Sequence, residues 1–271
     1  MNLPENKNPP DNKLPTPKPG HDQATPTTRG SGIGDVIKVV LQALLVAFVI
    51  RVLLFQPFMI PSGSMIPTLL VGDYLFVSKF SYGYSRYSLP WQIIPFNGRI
   101  WGAEPKRGDV AVFASPTGDG SDYVKRVIGL PGDTVQMVDN VLVINGERVK
   151  RERVGTFPDA DQWGKPIDAP LYRETLPGGV SYVIMEREGA GSYWANTFLY
   201  KVPEGHYFMM GDNRDNSVDS RDLASLGYVP LENFIGRADT IFFSLDENTP
   251  AWKLWQWPSA VRWDRVFTSI R

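Results

Sequence analysis

Two serines and a glycine stand together at Ser62-Gly63-Ser64, followed by Met65, inside the stretch PSGSMIPTL from Pro61 to Leu69. Serine is a weak nucleophile and attacks a carbonyl only when a neighbour takes its proton. The chain has no cysteine and two histidines, His21 and His206. Thiolate nucleophiles, disulfides, an HExxH helix and a His-rich zinc site are therefore excluded. His21 falls in a Pro-rich tail on the far side of an apolar run from Ser64, and His206 sits in the strand pattern HYFMM, so a Ser-His-Asp triad has no evident histidine. No lysine follows a Ser or Thr by three positions, which removes the Ser-x-x-Lys arrangement. No DTG or DSG signature of a paired-aspartate protease occurs, and the acidic run Asp212-Asn213-Arg214-Asp215-Asn216 fits no EF-hand frame.

A serine with a lysine as its base remains. Lysine accepts a proton only when neutral, and at an ordinary pKa near 10.4 only about one molecule in 2,500 is neutral at pH 7. Burial among apolar side chains lowers that pKa by up to ~3–5, so the base must sit in an oily strand. Lys125 does, in YVKRVIGL, among Val124, Val127 and Ile128. From spacing alone, Lys125 reads as a solvent-facing residue of an ordinary strand. Arg126 beside it points to the opposite face, so one of the two points inward in a half-buried strand.

Residues 1–32 hold seven of the 23 prolines and almost nothing apolar, the composition of a disordered tail. From Ile37 to Phe55, IKVVLQALLVAFVIRVLLF is interrupted only by Lys38, Gln42 and Arg51. As a helix it spans about 28 Å, close to a bilayer core of ~30 Å, and its two cations lie near the ends where they can snorkel. A tail of some 35 residues ahead of the run is too long for the start of a cleaved signal peptide, so 33–57 reads as an uncleaved anchor. Lys18, Arg29 and Lys38 lie on the N-terminal side whereas Gln56 to Ser78 carries no Lys or Arg. The positive-inside rule then puts the N-terminus in the cytoplasm and everything after Phe55 outside.

Beyond the anchor the pattern changes to period two. DYLFVSKF (73–80), GDVAVFAS (108–115), YVKRVIGL (123–130), TVQMV (134–138), VLVI (141–144), SYVIM (181–185), HYFMM (206–210) and ADTIFFSL (238–245) read as strands. Pro131-Gly132-Asp133, Asp139-Asn140 and Asn145-Gly146 read as turns. The expected architecture is mostly β: an anchored ectodomain of small barrel or sheet lobes, without a long amphipathic helix after residue 60. Residues 58–149 and 202–250 form the main β domain, 150–201 a second β lobe or insertion, and 251–271 a Trp-rich end. With 28 Lys plus Arg against 29 Asp plus Glu, no broad basic face exists to neutralise phosphates, and nucleic acid is excluded as a partner.

PSGSMIPTL, YVKRVIGLPGD and GDNRDNSVDSR, in that order behind an apolar span, resemble the bacterial type I signal peptidase (leader peptidase) family. The resemblance covers roughly Phe58 to Leu70, Asp73 to Lys79, Gly108 to Asp133 and Val202 to Asp222. It implies a membrane-anchored, mostly β serine endopeptidase that removes signal peptides from exported preproteins after Ala-x-Ala-type sequences, without metal or cofactor. It implies Ser64 as nucleophile and Lys125 as general base, with Ser62 and the Ser64 N–H as oxyanion hole. Ser217 would orient the lysine, and Asp219 and Arg221 would support the site. Phe58, Ile60, Pro61, Met65, Leu69, Tyr123 and Val124 are placed to line small apolar pockets, with Phe58–Pro61 and Asp122–Val124 flanking an extended substrate. The same apolar residues fit core positions equally.

The partners implied are preprotein signal peptides, membrane lipid and the export machinery, at the outer face of the inner membrane. Unlike some family members, the chain has one clear span and no cysteine. AWKLWQWPSAVRW carries Trp252, Trp255, Trp257 and Trp263, a mix suited to a headgroup interface or to packing on the barrel. Two other readings stand beside the peptidase. A Ser-Lys self-cleaving repressor would carry an N-terminal DNA-binding helix-turn-helix, where an apolar span stands here. A non-enzymatic anchored β-domain that binds extended peptides would have no need of a neutral Lys125.

Overall fold

The computed structural model describes residue 1 and residues 33–89, 96–160, 164–246, 249 and 253–270. The expected disordered tail falls on residues 2–32, outside the described residues, and so does Trp252. Residues up to Ala43 and residues from Leu44 onward form two separate compact units; everything that follows beyond the first helix concerns the second.

The helix α1 spans Ile33–Leu53, 21 residues with no side chain buried. It is long and apolar enough to cross a membrane by length and composition. The apolar run read as helical through Phe55 stops being helix at Leu53, and strand β1, Phe55–Met59, begins within it. Pro57 explains the early stop, because it lacks an N–H and disfavours helical geometry at Gln56. Phe55 instead pairs with Ser78 across the sheet. The end of α1 is held by its neighbours: the Lys79 N–H donates to Leu54 O at 3.0 Å, Lys79 Nζ donates to Ser88 O at 2.5 Å, and the Tyr84 hydroxyl donates to Leu53 O.

The remaining strands of three residues or more are β2 (Asp73–Ser78), β3 (Val110–Ala114), β4 (Asp122–Gly129), β5 (Thr134–Val138), β6 (Val141–Ile144), β7 (Lys150–Ala160), β8 (Pro166–Thr175), β9 (Ser181–Met185), β10 (His206–Met210) and β11 (Phe234–Ser244). An eight-stranded sheet runs β1-β2-β11-β3-β4-β10, ended by Val229–Pro230, with Thr268–Ser269 pairing on β11. A three-stranded sheet, β9-β8-β7, and a four-stranded sheet built on β5 and β6 complete the β structure.

Both faces of the main sheet's central strands are covered, which explains their continuous apolar text. In β3, Val110, Val112 and Ala114 join a core with Ile60, Met65, Leu69, Leu75 and Val77. Ala111 and Phe113 point the other way, into a core with Tyr82, Val127, Tyr207 and Phe234. In β10, Phe208 and Met210 face a third core with Ile128, Val135, Leu142 and Ile184. The β5–β6 hairpin turns at Asp139-Asn140, both with positive φ, as a two-residue primed turn requires.

The C-terminal segment is pinned to the start of β2. Arg265 Nη2 donates to Asp73 Oδ2 at 2.5 Å, and Arg262 Nη1 donates to Val71 O at 2.9 Å. The Trp257 ring packs 5.1 Å from Phe243, whereas Trp255 and Trp263 are 73% and 66% exposed. Trp257 thus packs against the sheet, while Trp255 and Trp263 face outward.

Candidate active site

Two strands of the curled main sheet present open edges. β1 pairs with β2 alone, and β10 pairs with β4 only at Arg126, Val127 and Gly129, leaving Asp122–Lys125 free on that side. Phe58 to Met65 and Ser121 to Lys125 line opposite walls of one cleft of about 780 Å³. A gap bounded by two free strand edges accepts one extended chain by main-chain hydrogen bonding.

Within this cleft Lys125 Nζ lies 2.7 Å from Ser64 Oγ. Its other hydrogen bond goes to Val124 O at 3.2 Å. Lys125 is 3% exposed. Burial brings its pKa down from 10.5 to about 8, with Asp219 and Asp212 pulling it partly back up and Arg221 lowering it. A lowered amine is not by itself a base. Lys79 is also lowered to about 8, by burial and then by Arg51, yet its Nζ faces the carbonyl oxygens of Ser88 and Val52. Lys125 differs in having a hydroxyl next to it.

Ser64 sits in a single 3-10 turn, Gly63–Met65, anchored below by the wholly buried Met65 and Leu69. The loop after β10 holds this turn from the other side. The Asn213 N–H donates to Ser64 O at 3.1 Å, and Asn213 Nδ2 donates to Gly63 O at 3.0 Å. Gly211 is a glycine because a Cβ there would stand 2.2 Å from Ser217 Oγ and 2.5 Å from Ser64 O. Ser62 Oγ lies 3.5 Å from Ser64 Oγ and is exposed, on the rim of the cleft.

Asp219 and Arg221 lie behind the cleft wall. Arg221 donates from Nε to Asp219 Oδ1 and from Nη2 to Oδ2, both at 2.8 Å, and the Gly211 N–H donates to Oδ2 at 3.0 Å. Burial pushes the Asp219 carboxyl up, but Arg221 and the Gly211 N–H hold it below the usual carboxylate range. Arg221 Nη2 also donates to Arg214 O at 2.6 Å, so the ion pair closes the loop on itself.

Several sequence expectations change here. Leu69 is 0% exposed and belongs to the core under the Ser64 turn, not to the cleft lining; the 3-10 turn and the bend after it carry it inward. Ser217 lines the cleft; its buried hydroxyl makes no hydrogen bond of full geometry among the described residues but lies near enough to Asp219 to help hold that carboxyl down, and Lys125 is not bonded to it. β4 is not half-buried with one inward cation: Lys125 and Arg126 are both buried, on opposite faces. Arg126 is neutralised by Asp212 and stacks 4.1 Å from the Tyr182 ring. Phe58, Ile60, Pro61, Met65, Asp122, Tyr123 and Val124 all line the cleft. Asn213, Gly211 and Asp212 were missed individually, although the motif GDNRDNSVDSR contains them. Among the described residues no cluster of three metal-ligating side chains occurs.

A family model described as "Signal peptidase, peptidase S26" matches residues 33–243. The chain belongs to the signal peptidase family, peptidase S26. A protein named signal peptidase I from Rickettsia typhi is 43% identical over 243 residues, covering 83% of this chain and 89% of that protein. The Rickettsia prowazekii protein of the same name is 42% identical over 243 residues, with the same coverage. A crystal structure of a signal peptidase I from Enterococcus faecalis V583 is 29% identical, covers 50% of this chain and 97% of its own, and superposes with a TM-score of 0.29. As a member of the family the chain is a hydrolase, a serine peptidase.

Proposed function

We propose that this family member is a membrane-anchored endopeptidase that removes signal peptides from exported preproteins, with Ser64 as nucleophile and Lys125 as general base. The observation that carries the reading is the 2.7 Å approach of Lys125 Nζ to Ser64 Oγ in a cleft lined by two strands with free edges. The neutral amine accepts the Ser64 proton as Oγ attacks the carbonyl carbon of the scissile bond. The oxyanion that forms is met by the Ser64 N–H and the Ser62 hydroxyl, a kind of donor whose removal costs ~10²–10³ in rate. The lysine then gives its proton to the departing amine, and the acyl-enzyme is opened by a water that the same amine deprotonates.

Asp219 and Arg221 hold the loop that backs the lysine, and Ser217, buried beside Ser64 O, supplies the hydroxyl that steadies the amine once substrate closes the cleft. Ile60, Met65 and Val124 line the walls nearest the nucleophile and leave room for small side chains, which fits cleavage after Ala-x-Ala. This chemistry calls on no metal or cofactor. The apolar α1 anchors the enzyme, with the N-terminus cytoplasmic and the cleft at the outer face of the inner membrane. There it meets cleavage sites as they leave the bilayer or the export machinery, with lipid as its surroundings.

A processing assay on a preprotein with an Ala-x-Ala site tests the reading. Ser64→Ala and Lys125→Arg each abolish cleavage, since arginine does not become a base. Wild-type rates in either variant end the proposal.

A further inference from the structure

The cleft does not stop at Asp122. A second cavity of about 460 Å³ adjoins it, lined by Phe48 and Arg51 of α1, Gln56 of β1, Tyr87, Gly120 just before β4 and Asp122 at its start. Asp122 belongs to the lining of both. Gln56 precedes Phe58 by two positions on β1, so both side chains share one face of that strand. The two walls that flank the first cleft therefore run on, past Asp122, toward the end of α1.

We infer that this second cavity receives the substrate upstream of the third residue before the scissile bond, and that Arg51 and Gln56 bind it there. The inference rests on the function proposed above. Lys125 to Asp122 is three strand steps of ~3.3 Å, about 10 Å, the length of three residues of an extended chain. The next residues upstream, about the fourth to the sixth, have the second cavity ahead of them.

The chemistry of the cavity matches that part of a signal peptide. There the apolar helix of the substrate ends, and the last carbonyl groups of a helix lack partners and carry partial negative charge. Arg51, exposed at the end of α1, presents its guanidinium to the cavity, and Gln56, half-buried, adds an amide donor. The other charged groups nearby are Asp122, exposed and lining both cavities, and Lys79, whose Nζ is already engaged by Ser88 O. The cavity is thus equipped to take a helix end through its carbonyl groups, leaving discrimination by size to the first cleft.

The experiment compares two synthetic substrates in neutral detergent: one with the whole apolar segment, and one that begins three residues before the cleaved bond. Arg51→Ala and Gln56→Ala are each expected to raise KM for the long substrate about tenfold, with kcat unchanged, and to leave the short one unaffected. Arg51→Glu is expected to regain affinity for a long substrate with lysine at the fifth upstream position. Equal effects on both substrates, or none on either, overturn the inference. So does a KM rise that appears in anionic vesicles but not in detergent, because Arg51 would then serve lipid phosphate. Ser64→Ala run alongside separates the two failures: if it still cleaves, the proposed function itself is wrong.

Discussion

The Arg126 guanidinium and the Asp212 carboxylate meet side-on, Nε to Oδ1 at 2.8 Å and Nη2 to Oδ2 at 2.7 Å, with both side chains closed to solvent. Arg126 adjoins Lys125 on β4. Asp212 adjoins Asn213, whose N–H holds Ser64 O. The pair therefore ties the strand that carries the amine to the loop that holds the hydroxyl, and Thr68 donates to the same carboxylate at 2.5 Å. Burial alone would lower the Arg126 pKa, but Asp212 more than offsets it and keeps the guanidinium charged. Asp212→Asn removes the carboxylate that balances that buried charge, and breaking a buried pair from one side costs ~3–5 kcal/mol. Denaturant unfolding in detergent checks this, and a loss under 1 kcal/mol would refute it.

Activity should follow the charge of Lys125. The proposed base works only when neutral, and burial sets its pKa at about 8. Below that pH the rate of the free enzyme is expected to fall tenfold per pH unit, and above it to level off. A kcat/KM profile from pH 6 to 10 measures this. A flat profile between pH 6 and 9 would mean that the amine takes no part in proton transfer.

The same lowered amine costs stability, with a definite sign. In the unfolded chain Lys125 titrates at 10.5, and in the folded one at about 8. Between those values the unfolded chain binds a proton that the native one does not, so stability rises with pH from about 8 to 10.5. Below pH 8 the cost is present in full, ~3 kcal/mol at ~1.4 kcal/mol per pKa unit. Lys125→Met should therefore be inactive yet more stable than wild type at pH 7, losing the advantage as pH approaches 10.5. Lys79 carries a similar shift but is present in both proteins and cancels. Equal stability at pH 7 would show that the site does not penalise the ammonium.

What was legible in the sequence follows from how local each signal is. The strands at 134–138, 141–144, 181–185 and 206–210 have the bounds their apolar text suggests, because side chains decide those elements. β7 and β8 were hidden: KRERVGTFPDA is largely exposed, and the pairing of Lys150–Ala160 with Pro166–Thr175 rests on backbone hydrogen bonds, which leave little mark on residue type. β1 was hidden by the apolar run whose last residue it takes over. At the site, the residue types were readable, but the burial of Lys125 was not. It depends on the Ser64 turn, 61 residues away, and on the loop after β10, which no period along β4 reveals. Leu69 was misplaced for the same reason, since a residue five positions past the nucleophile points to cleft or core according to turns that carry no periodicity.

Gly211 puts the claim that this loop sets the nucleophile to a direct test. It stands where β10 ends, and the space its Cβ would take is already filled by Ser217 Oγ and Ser64 O. Ser64 O cannot yield without dragging the 3-10 turn that carries Oγ, and Ser217 cannot yield without moving the loop closed by Asp219 and Arg221. Gly211→Ala should therefore shift the hydroxyl relative to Lys125 by a fraction of an ångström to an ångström, a misplacement that costs about 10²-fold in rate. The binding edges of β1 and β4 lie outside the clash, so KM should change little while kcat falls. Steady-state kinetics with a thermal melt on the same sample reads both. A folded Gly211→Ala enzyme with wild-type kcat would show that the loop does not govern where Ser64 sits.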